Sequence, residues 1–288
     1  MPRILCDWHI HTRRSPCGHP GASYAGMAEG AKASGVRCFG FTDHLHCHRN
    51  LPELRAARAE FDALADRDGL HFGVEVSCLR VWDIEQNEAA GDDAHLYGVW
   101  QGGPADGPLT IYWPDEMAEL APEYAVGGAH WPLGVPLEQV AVIRSYHRQQ
   151  MYLAERPEVT IVAHPWWWMG HWQTADGRYP DLPWLGNFTV VPQSMHGEFA
   201  AALRENDTYM ELNAEAIFLN GSYPENFKWQ YRDYVALMKS LGVHFTLGSD
   251  CHAEAYKPCL GEVVEFLAPL GLTEDDFWHG PDSANGVQ

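Results

Sequence analysis

Arg3-Ile4-Leu5-Cys6-Asp7-Trp8-His9-Ile10-His11 begins as a short apolar run and ends on two histidines separated by one residue. In an extended chain, residues two apart point to the same side. His9 and His11 can therefore present ring nitrogens to one ion, at about 2.0–2.1 Å for zinc. The arrangement recurs along the chain. Residues 36–42 read as a strand and lead into Asp43 and His44. Residues 70–76 read as a strand that carries Glu75, and a carboxylate inside an apolar run is costly unless it is paired or binds a metal. Residues 125–129 lead to His130, 159–163 to His164, and 243–247 to Gly248-Ser249-Asp250-Cys251-His252. Residues 210–212 make a further short strand.

Helical patterns lie between these strands, at 23–34, 52–65, 137–154 and 229–241. Strand and helix alternating over a chain of this length predict an α/β fold with a parallel sheet closed into a barrel. In such barrels the carboxyl ends of the strands share one face, where the active site forms. Six separate segments then deliver histidines and carboxylates to one place. Two regions interrupt the alternation and are expected as loop excursions from a single domain spanning 1–288. One is polar and glycine-rich, near 83–113. The other, near 165–192, is rich in tryptophan, and its departure from His164 marks it as a lid over the site mouth.

The composition narrows the function. The 288 residues hold 39 acids against 19 bases, a net charge of −20. That excess argues against nucleic acid, which needs lysine and arginine to displace counterions. It leaves room for a small anion, because a bound divalent ion inverts the local field. No window approaches the roughly 18 apolar residues of a membrane span. The N-terminus has no signal-peptide core, which points to the cytoplasm. Seven cysteines without paired spacing read as reduced thiols. Of these, Cys17, Cys47 and Cys251 sit beside ligand positions and are read as packing or loop residues. Sixteen histidines are the unusual feature, since histidine is the commonest metal ligand.

Taken together, Asp-Trp-His-Ile-His-Thr, Cys17-Gly18-His19, Thr-Asp-His, Gly-Val-Glu, the two Ala-His pairs and Gly-Ser-Asp-Cys-His resemble the PHP family, named for polymerase and histidinol phosphatase domains. The matching pieces run from Asp7 to His252, and Cys-Gly-His is similar to the stand-alone histidinol-phosphatase branch. The resemblance implies a distorted (β/α)7 barrel of the PHP type with two or three divalent metal ions. It implies that His9, His11, Glu75 and Asp250 hold one ion. Glu75 bridges to a second, held also by His130 and His164, and a third lies between His19, His44 and His252. Nitrogen and oxygen ligands of this kind suit zinc, manganese or iron. His46 and His48 are spare imidazoles close by.

The expected activity is hydrolysis of a small phosphomonoester by metal-activated water, with Glu75, Asp250 and His252 as the catalytic group. Phosphate also favours an arginine fork or a lysine, so Arg13, Arg14, Arg178, Lys228 and Lys257 are candidate substrate contacts, together with Trp166 and His171 in the tryptophan-rich segment. A carboxylic ester, lactone or amide is the alternative substrate. The amidohydrolases of similar architecture also begin with His-x-His but commonly bridge their metals with a lysine, where this chain has Glu75. A non-catalytic metal-binding domain is the remaining reading, disfavoured by a ligand set this complete. Partners are then a small-molecule substrate, with neither nucleic acid nor membrane, and no feature of the sequence specifies an oligomeric state.

Overall fold

The computed structural model describes residues 5–168 and 181–281. His171 and Arg178, and most of the expected lid, lie outside the described residues. Seven parallel strands form the frame: β1 (Leu5–Ile10), β2 (Val36–Phe41), β4 (Leu70–Ser77), β7 (Tyr124–Gly128), β8 (Ile161–Ala163), β9 (Tyr209–Asn213) and β10 (Phe245–Gly248). They neighbour one another in chain order. The sheet comes nearly full circle where β10 returns to β1. Ile10 pairs with Cys251 in parallel, His11 N donates to Cys251 O (3.1 Å), and Asp250 N donates to His9 O (2.8 Å). The two-residue strand β3 (His44–Leu45) adds to β4, and β5 (Leu79–Arg80) pairs antiparallel with β6 (Leu109–Thr110) outside the barrel.

Helices α1 (Tyr24–Ala33), α2 (Leu51–Asp62), α3 (Val81–Ala90), α4 (Met117–Leu120), α5 (Gln139–Ala154), α6 (Gln193–Glu205), α7 (Glu225–Ser240) and α8 (Leu260–Leu267) complete the fold, most of them packed around the strands. Phe227, Tyr231, Tyr234, Val235 and Met238 are the buried side of α7, the spacing of one helical stripe. Among the described residues no helix is long and apolar enough to cross a membrane.

Two layers of apolar packing follow from the period-two alternation of the strands. Ile10, Phe39, Phe41, Phe72, Val74, Val162, Met210, Leu212 and Leu247 face outward to the helices. Cys6, Trp8, Tyr124, Val126, Ile161 and Ala163 form a separate inner cluster at the lower end of the barrel, joined by Trp278. Strand β1 belongs to both zones because its register with β2 slips. Asp7 pairs with Phe39 and Ile10 with Phe41, so three steps on β1 match two on β2. A bulge of this kind re-aims the side chains that follow it. Trp8 lies in the apolar plug, while His9 and His11 both turn into the site above it.

All seven predicted strands are present, and the first extends through His9 to Ile10, beyond the apolar run that announced it. The region near 83–113 is corrected in part: its first third is helix α3. The buried residues of α3 are Asp83 and Asn87, a polar face that leaves no apolar periodicity to read. All seven cysteines are free thiols.

Asp7 ties the closing seam. Its Oδ1 accepts from Ser249 N (2.8 Å) and His9 N (3.3 Å), and its Oδ2 accepts from Tyr256 Oη (2.9 Å). Burial pushes its carboxyl up to about 6, against the hydrogen bonds from Ser249 and Tyr256 that lower it. Asp7→Ala orphans three buried donors and should lower unfolding free energy by roughly 3 kcal/mol. Asp7→Asn, which keeps Oδ1, should cost less than half of that. Denaturant melts of the two variants check the order, and equal losses would contradict it.

Candidate metal centre

Strand ends and register bring the site together. Glu75 lies inside β4, and His44 is its register partner on β3. His9 and His11 come from the bulged end of β1, His130 from the turn after β7, His164 from the end of β8, and Asp250 and His252 from the turn after β10. His164 and Asp250 have φ of 27° and 57°, a left-handed backbone that costs a non-glycine residue on the order of 1–3 kcal/mol and persists where the surroundings over-determine it. Two glycines make room. A Cβ on Gly248 would collide with Glu211 Oε1 and the His9 side chain, and one on Gly128 with the His130 ring.

The side chains converge on Glu75, which is 1% exposed. Its Oε2 lies 3.0 Å from His9 Nε2, 3.2 Å from His11 Nε2 and 3.0 Å from His44 Nδ1. Its Oε1 lies 2.8 Å from His130 Nε2 and 3.3 Å from His164 Nε2. One carboxylate therefore serves two groups of imidazoles, one oxygen to each, which is a bridging arrangement. Asp250 Oδ1 closes the first group, 3.5 Å from His9 Nε2 and 3.2 Å from His11 Nε2, and those two nitrogens are 3.0 Å apart. Tetrahedral ligands at about 2.0–2.1 Å from an ion stand about 3.3–3.4 Å from one another. The spacing of His9, His11, Glu75 and Asp250 is close to that edge length.

The chemistry of the donors fits an ion as well as the spacing does. His9 Nδ1 is 2.7 Å from Glu211 Oε1. An ionised carboxylate only accepts, so a ring proton on Nδ1 faces Glu211, and with an ion bound Nε2 would be the ligating nitrogen. A carboxylate behind a histidine is the usual device for orienting a ligand. Glu211 Oε2 also accepts from His164 N (2.7 Å) and Asn213 Nδ2 (3.0 Å), and Asn213 Nδ2 reaches Asp250 Oδ2 at 3.2 Å. Ser77 Oγ sits between His130 Nδ1 (2.6 Å) and His46 Nδ1 (2.7 Å), and Ser15 Oγ lies 2.9 Å from His11 Nδ1. His44 Nδ1 has no hydrogen-bond geometry to any partner despite its closeness to Glu75. Buried polar atoms without partners are uncommon, and an ion would satisfy this one. His/Asp/Glu groups here can hold metal: His9, His11 and Asp250 form one, and His44, Glu75 and His130 another.

The electrostatics divide the imidazoles into two kinds. Burial opposes a charge on His9, but Glu211, Glu75 and Asp250 outweigh it and hold its pKa well above the ordinary histidine value. Burial likewise opposes a charge on His11, and bonds to Asp250 and Glu75 push it up to about 9. Burial acts against the charged form of Glu75 too, yet His44, His9 and His130 hold it well below the usual carboxylate range. Asp250 is held low in the same way by His9 and His252. His44 falls well below the ordinary value through burial, His46 to about 3 through burial and His130, and His252 to about 4 through burial and His11. Positive charge is thus favoured between the three carboxylates, and neutral imidazole, the ligating form, is favoured around the rim.

Eight of the nine expected ligands meet here. The exception is His19, which is exposed and accepts from Gly21 N at 3.1 Å within its own turn. Its neighbour Cys17 takes the inner position, with Sγ 3.1 Å from His252 Nε2, grouped with His11, His44 and His252. Cys17 is thereby corrected from a packing residue to a member of the cluster. Arg13 and Arg14 do not face the site, because both pair with Glu60 on α2 and Arg14 also with Glu53. Lys257 is largely exposed and lies 3.6 Å from Glu215, beside a different hollow. Trp166 is fully buried against Trp168, His147 and His196, so of the tryptophans 166–168 it is Trp167 that reaches the cavity.

That cavity, about 330 Å³, is walled by Cys17, His46, Tyr97, Trp131 and Trp167 around the cluster. Sequence reading passed over Glu211 and Asn213. The signal for Glu211 was the one that marked Glu75, a carboxylate inside an apolar strand. No family model matches the chain, and no curated protein aligns with it. Glu75→Gln should reduce the zinc or manganese retained on desalting to under about a tenth, since it removes the charge shared by both groups. His19→Ala should retain metal as the unaltered protein does. Elemental analysis decides, and equal metal in the two variants would contradict the assignment.

Proposed function

We propose that this chain is a metal-dependent hydrolase of the PHP type that cleaves a small phosphomonoester. The observation that carries the reading is the buried Glu75 carboxylate, with one oxygen turned to His9, His11 and His44 and the other to His130 and His164. When bound, paired divalent ions supply Lewis acidity, lower the pKa of water toward about 7 and neutralise phosphoryl oxygens. In this reading His9, His11, Glu75 and Asp250 hold one ion, and Glu75, His130 and His164 the other. Asn213, bonded to Asp250 Oδ2, fixes which carboxylate oxygen faces the centre. Glu211 fixes the tautomer of His9. His252, one-third exposed at the cavity wall, is the imidazole open to a bound substrate. Phosphoryl transfer asks for positioning and charge neutralisation more than for a covalent nucleophile, and metal held by these residues would supply the charge.

One observation favours a second reading. Among the described residues no lysine or arginine lines the cavity, so a carboxylic ester or lactone, which needs no cationic side chain, is the alternative substrate. A panel of phosphomonoesters, carboxylic esters and lactones, assayed with manganese and with zinc, separates the two. Phosphomonoesters should turn over. Chelation or Glu75→Gln should reduce the rate at least about 100-fold, the scale of losing a preorganised electrostatic partner. Turnover of carbon esters alone would overturn the phosphoesterase reading, and inert panels with metal in place would overturn the hydrolase.

A further inference from the structure

A second, larger hollow of about 970 Å³ adjoins the metal cavity. Its walls are the loop 93–102, which follows α3, and the loop 131–136, which follows β7. Tyr97 and Trp131 line both hollows. Their rings stand 6.1 Å apart, and each lies within 6 Å of His46, on the metal side. The metal cavity therefore borders an open groove across this edge-to-face aromatic pair. By itself it sits at the low end of the roughly 300–1,000 Å³ range of ligand pockets, so a larger substrate extends into that groove.

The loop that makes the outer wall is held from beneath by an unusual device. Arg80 and Asp83 are fully buried and paired at 2.7 Å. The guanidinium donates to Gly102 O (2.6 Å) and Trp100 O (3.1 Å), while Asp83 accepts from Trp100 N (3.2 Å). Asn87 accepts from Trp100 Nε1 (2.6 Å) and donates to Gly98 O (2.7 Å). Burying an ion pair gains little stability against an apolar replacement. Here it fixes the course of an irregular loop at the mouth of the site, and a wall ordered in advance binds with less entropic cost.

The charge of the groove selects its occupant. Among the described residues no lysine or arginine lines it, and its one carboxylate, Asp93, stands exposed at the rim. Its one ionisable nitrogen is the exposed His95 imidazole, and with the chain at −20 overall an anionic group finds no fixed positive charge there. The flat faces of Trp131 and Tyr97 suit a ring, with Gln101 able to bond a hydroxyl. We propose that this groove is the leaving-group subsite and takes an uncharged, ring-bearing alcohol. The term leaving group rests on the hydrolase reading. The groove and its preference do not.

The test is binding without turnover. The full-length protein is titrated with 2-phenylethanol and, as a ringless control, with 1-butanol, followed by tryptophan emission and saturation-transfer NMR. The ring alcohol should bind saturably and at least about fivefold more tightly than butanol, the scale of one aromatic contact. Trp131→Ala should remove that advantage, whereas Trp131→Phe, which keeps a ring, should restore most of it. Val99→Asp places a carboxylate in the opposite wall and should weaken the ring alcohol similarly, which covers the case in which Trp131→Ala fails to fold. Equal binding of the two alcohols, or ring binding that survives both Trp131→Ala and Val99→Asp, would overturn the subsite. Either result leaves the ester panel untouched, and an inert panel leaves the groove untouched.

Discussion

A single ionised carboxylate at the centre of the barrel sets the terms for everything around it. Glu75 is buried among five imidazoles, and a charge in that position is tolerable only if opposite charge and hydrogen-bonding groups surround it. Two further buried carboxylates, Asp250 and Glu211, crowd the same space, and His9 touches all three. The barrel end is thus a polar pocket with a demand for cations. The costs recorded nearby, a left-handed backbone at His164 and Asp250 and glycines where a methyl would collide, are the price of bringing those groups to one point.

The supporting groups extend the constraint outward. Glu211 holds both the His9 ring and the His164 backbone. Ser77 links His130 to His46, and Ser15 links the His11 ring to the His44 backbone, whose N–H donates to its hydroxyl at 2.9 Å. The rings of His9, His11 and His130 and the carboxylate of Asp250 are each held on the far side by a neighbouring side chain. Losing a second-layer group would loosen the centre without removing any ligand, which is why Glu211 and Asn213 belong to the site.

Much of this was legible in the chain. The strands announced themselves as apolar runs, and the candidate ligands stood inside them or just past their ends, so their convergence followed from barrel geometry alone. What escaped reading did so for identifiable reasons. Helix α3 buries Asp83 and Asn87, so it has no apolar stripe. Trp166 and Trp168 follow a ligand in sequence yet turn into the outer core, because a left-handed residue at 164 and another at 166 redirect the chain. His19 and Cys17 are two residues apart in a tight turn, and which of them points inward is a matter of local dihedral angles that composition does not encode. The pairing of Arg13 and Arg14 with Glu60 is a contact between distant segments, invisible to any local rule.

The slip in register on β1 has one more consequence. Below it, Trp8 packs against Trp278 and Tyr124, with ring centroids 4.7 and 5.7 Å away, and Tyr124 donates its hydroxyl proton to Trp8 O. This aromatic stopper seals the barrel floor directly beneath His9. With the floor closed, the cavity lined by Tyr97, Trp131 and Trp167 reaches Glu75 from the opposite end. In the proposed hydrolase, ion, substrate and product would all pass on that side, so a molecule resting there would slow the escape of whatever lies beneath it.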